Sequence, residues 1–220
     1  MRISKWLATG VSAGVCLFAG MAMAADDAAP SGFLGDAYPK LLDVQSPSKQ
    51  KAKRWLAPEV VAANYDSLML QPTVLYPEPQ GTEQASMATL NEIRAYMDVA
   101  LKRELADVIT LVNEPGPRTL KLRPAITAAA AKDMGLKPYQ YMPIAFVVTL
   151  GQTTKKATLA VEYEVQDSST GKVIGAGMRE SAGQDIKSMK EKLTLENVKP
   201  AVDVWAKDAR AFIAAGNFKK

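Results

Sequence analysis

Ala157-Thr-Leu-Ala-Val-Glu-Tyr-Glu-Val-Gln-Asp-Ser-Ser-Thr-Gly-Lys-Val-Ile-Gly-Ala-Gly-Met-Arg-Glu-Ser-Ala-Gly-Gln184 is the stretch on which the fold turns. Leu159, Val161, Tyr163 and Val165 recur at every second position. Ala160, Glu162, Glu164 and Gln166 stand between them. That period puts the first set on one face of a strand and the second set on the other. Asp167-Ser-Ser-Thr-Gly171 is a run of turn formers, and Lys172 to Met178 reads as a second strand. The stretch predicts a β-hairpin, with Glu162 and Glu164 facing water.

Working outward, Tyr65 to Tyr76 reads as a first strand, interrupted where Pro72 cannot donate to a ladder. Pro77-Glu-Pro79 ends it. A helix follows over 83–105, with Leu90, Ile93, Met97, Leu101 and Leu105 forming one apolar stripe. Thr89-Leu-Asn-Glu92 fits a capping box, so the regular helix is allowed to start as late as Leu90. Val108 to Val112 is a short strand, Glu114 to Pro117 a turn, and Arg118 to Ile126 an alternating strand with Leu120, Leu122 and Ile126 in phase. Ile144 to Leu150 is apolar and suits a buried strand or short helix, or an exposed contact loop. Gln184 to Thr194 is a charged connector. A last helix is expected over 198–215, with Asn197 as N-cap, Pro200 in the first turn and Gly216 at the C-cap. Its stripe is Val198, Val202, Trp205, Ala209 and Phe212.

The fold expected is α+β: a mainly antiparallel sheet of four to five strands packed by two amphipathic helices. The strands flanking the first helix are candidates for parallel pairing. Residues 59–220 make one domain, preceded by an irregular N-terminal arm over 25–58 and a signal peptide over 1–24. Arg2 and Lys5 begin that signal, Trp6 to Met21 is its apolar run, and Ala22-Met23-Ala24 is the cleavage site. The run is short of the roughly 20 residues of a spanning helix. Cys16 is the sole cysteine, and Val15 before it is a poor fit to a lipidation site. We therefore expect a periplasmic protein cut near Ala24, with lipid anchoring at Cys16 unfavoured.

Without Arg2 and Lys5, the 27 basic residues fall to 25 against 23 acidic ones. That near balance gives no reason to expect nucleic acid as a partner. The chain has no histidine. The usual general base, the Ser-His and Cys-His pairs and the commonest zinc ligand are thereby removed. We expect no catalytic residue, no cofactor and no metal. Ser46-Pro-Ser-Lys49 has the Ser-x-x-Lys spacing of penicillin-recognising enzymes, but its companion motifs are missing and the surroundings are a polar arm. Glu162 and Glu164 have a spacing that suits paired carboxylates of a glycan hydrolase, if they lie in a cleft. Ser169-Thr-Gly-Lys172 lacks the other elements of a phosphate loop. The basic run 46–54 reads as a solvated loop, with attraction to anionic lipid headgroups as its functional alternative.

Three segments carry a family resemblance: Ser31-Gly-Phe-Leu-Gly-Asp36 with Tyr38 and Leu41; Tyr65-Asp66 through Leu70 to Pro72-Thr-Val74; and Val161-Glu-Tyr-Glu-Val-Gln-Asp-Ser-Ser-Thr-Gly171. Trp205 in the last helix also fits. In order and spacing the chain resembles an uncharacterised bacterial envelope family, often lipoproteins, known as domain of unknown function 3313. The resemblance implies export and an envelope location, and it brings no activity. It departs at the lipidation cysteine, which family members often carry just before the Ser-Gly-Phe-Leu segment. The expected function is a non-catalytic envelope protein, periplasmic or associated with the outer membrane, that binds a protein or lipid partner. The alternatives are a carboxylate-dependent hydrolase of wall or lipid glycans and a carrier of lipid or small ligands.

Overall fold

The computed structural model describes residues 30–81, 85–127, 146–147, 155–186 and 192–216. The hairpin dominates it. Strand β8 (Lys155–Asp167) and strand β9 (Val173–Ile186) pair antiparallel over almost their full length. Asp167 closes the bend: its Oδ1 accepts from the backbone N–H groups of Ser169 and Thr170, at 3.1 and 2.9 Å, while Gly171 takes a φ of +71°. The second strand runs past Met178, because the polar residues after it still pair by backbone with β8 (Leu159 with Ser181, Lys155 with Ile186). The first residues of the expected connector, 184–186, thus belong to β9.

The remaining strands are β1 (Leu42–Gln45), β2 (Lys51–Leu56), β3 (Ser67–Leu70), β4 (Val74–Tyr76), β5 (Thr110–Val112), β6 (Thr119–Thr127) and β7 (Phe146–Val147). With β8 and β9 they form one nine-stranded sheet in the order β1-β2-β9-β8-β6-β3-β5, β4 pairing with β6 and β7 with β8. The expectation of four to five mainly antiparallel strands is corrected to this larger, mixed sheet. Two causes are visible. The strand read over 65–76 is two short strands, β3 and β4, both parallel to β6 and broken at Pro72. Pro124 of β6 lies between those two pairings, where the lack of an N–H matters least. The second cause is that part of the expected irregular arm, 42–56, is a hairpin whose β2 pairs with β9. As expected, the start of the strand read from Tyr65 and the strand after the first helix are parallel, β3 pairing with β5.

Helix α1 (Met87–Leu105) and helix α2 (Leu195–Ala215) pack on one face. Ser86 caps α1 by accepting from the Thr89 N–H at 3.1 Å, so the helix begins three residues before the latest expected start. Helix α2 begins at Leu195 after Thr194, and Asn197 is the third helical residue, its Oδ1 accepting from the Thr194 N–H at 2.8 Å. Pro200 consequently sits beyond the first turn. Leu90, Ile93, Met97, Leu101 and Leu105 are all buried, with Val198, Val202 and Trp205 across from them. Each such side chain contributes about 1.5–3 kcal/mol by leaving water. Among the described residues, no helix is long and apolar enough to cross a membrane. The signal segment, Cys16, and Ile144 to Leu150 other than Phe146–Val147 lie outside the described residues.

Candidate functional site

The hydrolase alternative depends on the two glutamates, Glu162 and Glu164. Both lie on the sheet face away from the helices, as the alternation requires. Neither is open to water: Glu162 is 1% exposed and Glu164 7%. The expectation that they face solvent is corrected, and the cause is the N-terminal segment. A 3-10 turn over Gly35–Lys40 lays Leu34 and Ala37 against Ala176, with Phe33, Tyr38 and Trp55 around them. The Tyr38 hydroxyl donates to Glu162 Oε2 at 2.6 Å, and the Ser31 N–H donates to Oε1 at 3.3 Å. Burial, and then the hydrogen bond to Glu162, raise the Tyr38 hydroxyl above its ordinary pKa. Glu164 is held by Arg123 Nη1 at 2.8 Å and by Gln166. The Arg123 guanidinium lies under the Phe33 ring, 5.5 Å from its centroid. Both oxygens of Glu162 and Oε1 of Glu164 thus have donors, and a folded segment covers the pair. Among the described residues, these contacts make the pair a docking joint for the N-terminal segment.

The opposite face is different. Between the sheet and α2 lies a cavity of about 150 Å³. Its walls include Leu68, Leu120, Val161, Val165 and Ile174 from the strands, Met97 and Leu101 from α1, and Ala209, Phe212 and Ile213 from α2. Ala52 and Ala209 line the cavity, and Gly175 and Gly177 lie in the strand beneath. Gly177 is required: a Cβ at that position would stand 2.4 Å from the Tyr163 hydroxyl oxygen, since the phenol lies across β9.

One end of the cavity is closed by a polar cluster. Arg179 of β9 donates to Asp208 of α2 at 2.5 Å and to Gln50 Oε1 at 2.6 Å. Ser48 gives Asp208 two more bonds, from its N–H at 2.8 Å and its hydroxyl at 2.7 Å. The Trp205 indole N–H donates to Ser181, and the Ser181 hydroxyl donates to Gln50. Burial pushes the Asp208 carboxyl up, but the bonds from Ser48 and Arg179 outweigh it, and the net shift is downward. Arg179 Nε, also buried, has no partner among the described residues. Ser46 to Lys49 is the tip of the β1–β2 hairpin. Ser48 serves this closure directly, and the Ser46 hydroxyl lies within hydrogen-bond distance of that of Ser48 at 2.9 Å.

Arg54 and Tyr163 bring polar groups into the apolar walls. Arg54 pairs across the ladder with Gly177, and Gly177 with Tyr163. Because the middle residue has no side chain, phenol and guanidinium share one cross-strand row. The Arg54 guanidinium also lies over the Phe212 ring, 4.5 Å from its centroid. The sequence reading missed these residues. One signal was available: Asp208 falls three residues after Trp205 in the apolar stripe of α2, where a charge demands a buried partner. Among the described residues, no group of three or more acidic side chains is placed to hold a metal ion.

Fold and site together define an α+β domain with a mixed sheet, two helices over an apolar cavity, and an N-terminal segment docked on the reverse face. Residues 29–209 match the family described as "Protein of unknown function (DUF3313)". An uncharacterised lipoprotein of Escherichia coli K12, YdcL, is 32% identical over 187 residues, covering 83% of this chain and 84% of its own. The chain belongs to the DUF3313 family. Among solved structures, protein XCC0632 of Xanthomonas campestris is 13% identical with a TM-score of 0.41, covering 73% of this chain and 90% of that one. A PelC dodecamer of Paraburkholderia phytofirmans is 12% identical with a TM-score of 0.39, covering 72% and 95%.

Proposed function

We propose that this chain is a non-catalytic protein of the cell envelope whose working site is the apolar cavity under α2, where it holds a small apolar or lipid-derived ligand. The observation that carries the reading is a cavity of about 150 Å³ with almost wholly apolar walls. Engineered apolar cavities of roughly this volume stay dry and accept benzene. The carrier alternative therefore has a physical site, and the burial of both glutamates disfavours the hydrolase alternative. Among the described residues, the cavity walls come from the strands and the two helices. The envelope location is supported by the signal-like first 24 residues and by the lipoprotein name of the relatives. Val15 before Cys16 still argues for a cut near Ala24 rather than acylation.

Native mass spectrometry of the protein purified from envelope fractions tests the ligand. We expect a bound small molecule that leaves on mild activation. Ala209→Leu puts three extra carbons into the cavity and should abolish that adduct while the protein stays folded. Retention of the ligand by Ala209→Leu would place its site elsewhere and overturn the proposal. The same spectra give the mature N-terminus: a free Ala25 means a soluble periplasmic form, and an acylated Cys16 a tethered one.

A further inference from the structure

We infer that the cavity selects an amphiphile with an alkyl chain and a single anionic head, the chain lying against α2 and the head meeting Arg54 and the Tyr163 hydroxyl. This inference rests on the ligand-site reading above and adds the chemistry of the ligand. Three observations carry it. First, the charges around the cavity do not cancel. Two guanidiniums, Arg54 and Arg179, line it, against one carboxylate, Asp208. Asp208 is committed to Arg179 and Ser48. Arg54 has no carboxylate partner among the described residues, and its recorded contact is the Phe212 ring. One half-buried positive charge is left over beside the apolar walls, where one negative head would balance it.

Second, the Tyr163 hydroxyl has no hydrogen-bond partner among the described residues, although the residue lines the cavity. Gly177 lets the phenol lie across the strand toward Arg54, as any side chain there would displace it. Burial raises the Tyr163 pKa, and the charges of Arg54 and Arg179 pull against that rise. The hydroxyl therefore stays protonated at neutral pH, as a donor. Third, the buried Arg179 Nε also lacks an acceptor. Donors outnumber acceptors here, which suits carboxylate or phosphate oxygens and repels an ammonium head.

A free alkyl carboxylate and the phosphate of a lipid share this chemistry, and octanoate, octyl phosphate, octanol and octylammonium separate the cases. Calorimetric titration of the purified chain should show octanoate or octyl phosphate binding about tenfold or more tighter than octanol, with octylammonium weakest. Whichever anion wins identifies the head. Arg54→Met should remove the preference of the anions over octanol, and Arg54→Lys should keep most of it. Added salt should weaken the anions' binding to the unmutated protein and spare octanol, a readout that needs no variant to fold. Equal affinity for octanoate, octyl phosphate and octanol would overturn the anionic head and leave the apolar site standing. No binding of any of the four to the folded protein would overturn both.

Discussion

At the scale of single residues, the molecule depends on a glycine and a tyrosine that occupy the same space. Nothing in a strand calls for Gly177, since glycine weakens a strand interior. The Tyr163 ring supplies the reason: its hydroxyl oxygen lies 2.4 Å from where a Cβ would be. Gly177→Ala must move the ring, and overpacking of this kind costs about 1–3 kcal/mol. In a Tyr163→Val background the same change should be nearly neutral. Urea denaturation of the two single variants and the double variant measures the coupling, and simple additivity would contradict the contact. This pair was not legible in the sequence. Alternation put Tyr163 among inward residues correctly, but only the register sets Gly177 beside it.

At the scale of elements, the N-terminal segment and the Glu-rich strand explain each other. Ser31-Gly-Phe-Leu-Gly-Asp36 with Tyr38, and Glu162 with Glu164, are two of the segments that carry the family resemblance. In the fold they are one contact: Tyr38 and Ser31 on Glu162, and Phe33 over the arginine that holds Glu164. Tyr38→Phe leaves the segment its apolar contacts and removes one donor from a buried carboxylate. Such a loss costs about 1–3 kcal/mol. Limited proteolysis should then cut faster within residues 31–41, and Trp205 fluorescence should stay unchanged. Unaltered cleavage would mean that packing alone holds the segment. A strand with charged alternate residues reads as half-wet because that is the common case; what covers it lies 124 residues away in the chain.

At the scale of the whole molecule, titrating groups set a window of stability. Asp167 is lowered to about 2, first by the Ser169 hydroxyl, and Asp208 is also lowered. A carboxyl with a depressed folded pKa stabilises above its unfolded value, near 3.8, and loses that contribution as pH falls toward the folded value. Tyr38, Tyr65, Tyr96 and Tyr163 are raised above 10.0, chiefly by burial. Their contribution is complete below pH 10 and is lost as pH rises through the folded values. The urea midpoint should be level between these limits and fall at both ends. Asp208→Asn should lower the plateau, because Arg179 is left buried without its counter-charge, a loss of about 3–5 kcal/mol. It should also flatten the acid limb. An acid limb identical to that of the unmutated protein would show that Asp208 is not depressed.

The sequence by itself determined the local periods. These include the hairpin and its Asp167-to-Gly171 bend, the two helices with their stripes, the break at Pro72, and the parallel pair around α1. Each follows from side-chain spacing or turn chemistry within about 20 residues, which the chain carries whatever it later packs against. Tertiary structure alone decided how many strands join the sheet, that β1 and β2 extend it, that the glutamates are covered, and where the cavity lies. Those outcomes depend on pairings between distant segments: Arg54 beside Gly177, Ser48 on Asp208, and Tyr38 on Glu162. Local spacing cannot encode such pairings, because the same alternation suits an edge strand, an inner strand or a strand beneath a docked segment. The choice is made by which surfaces the whole chain can bury together.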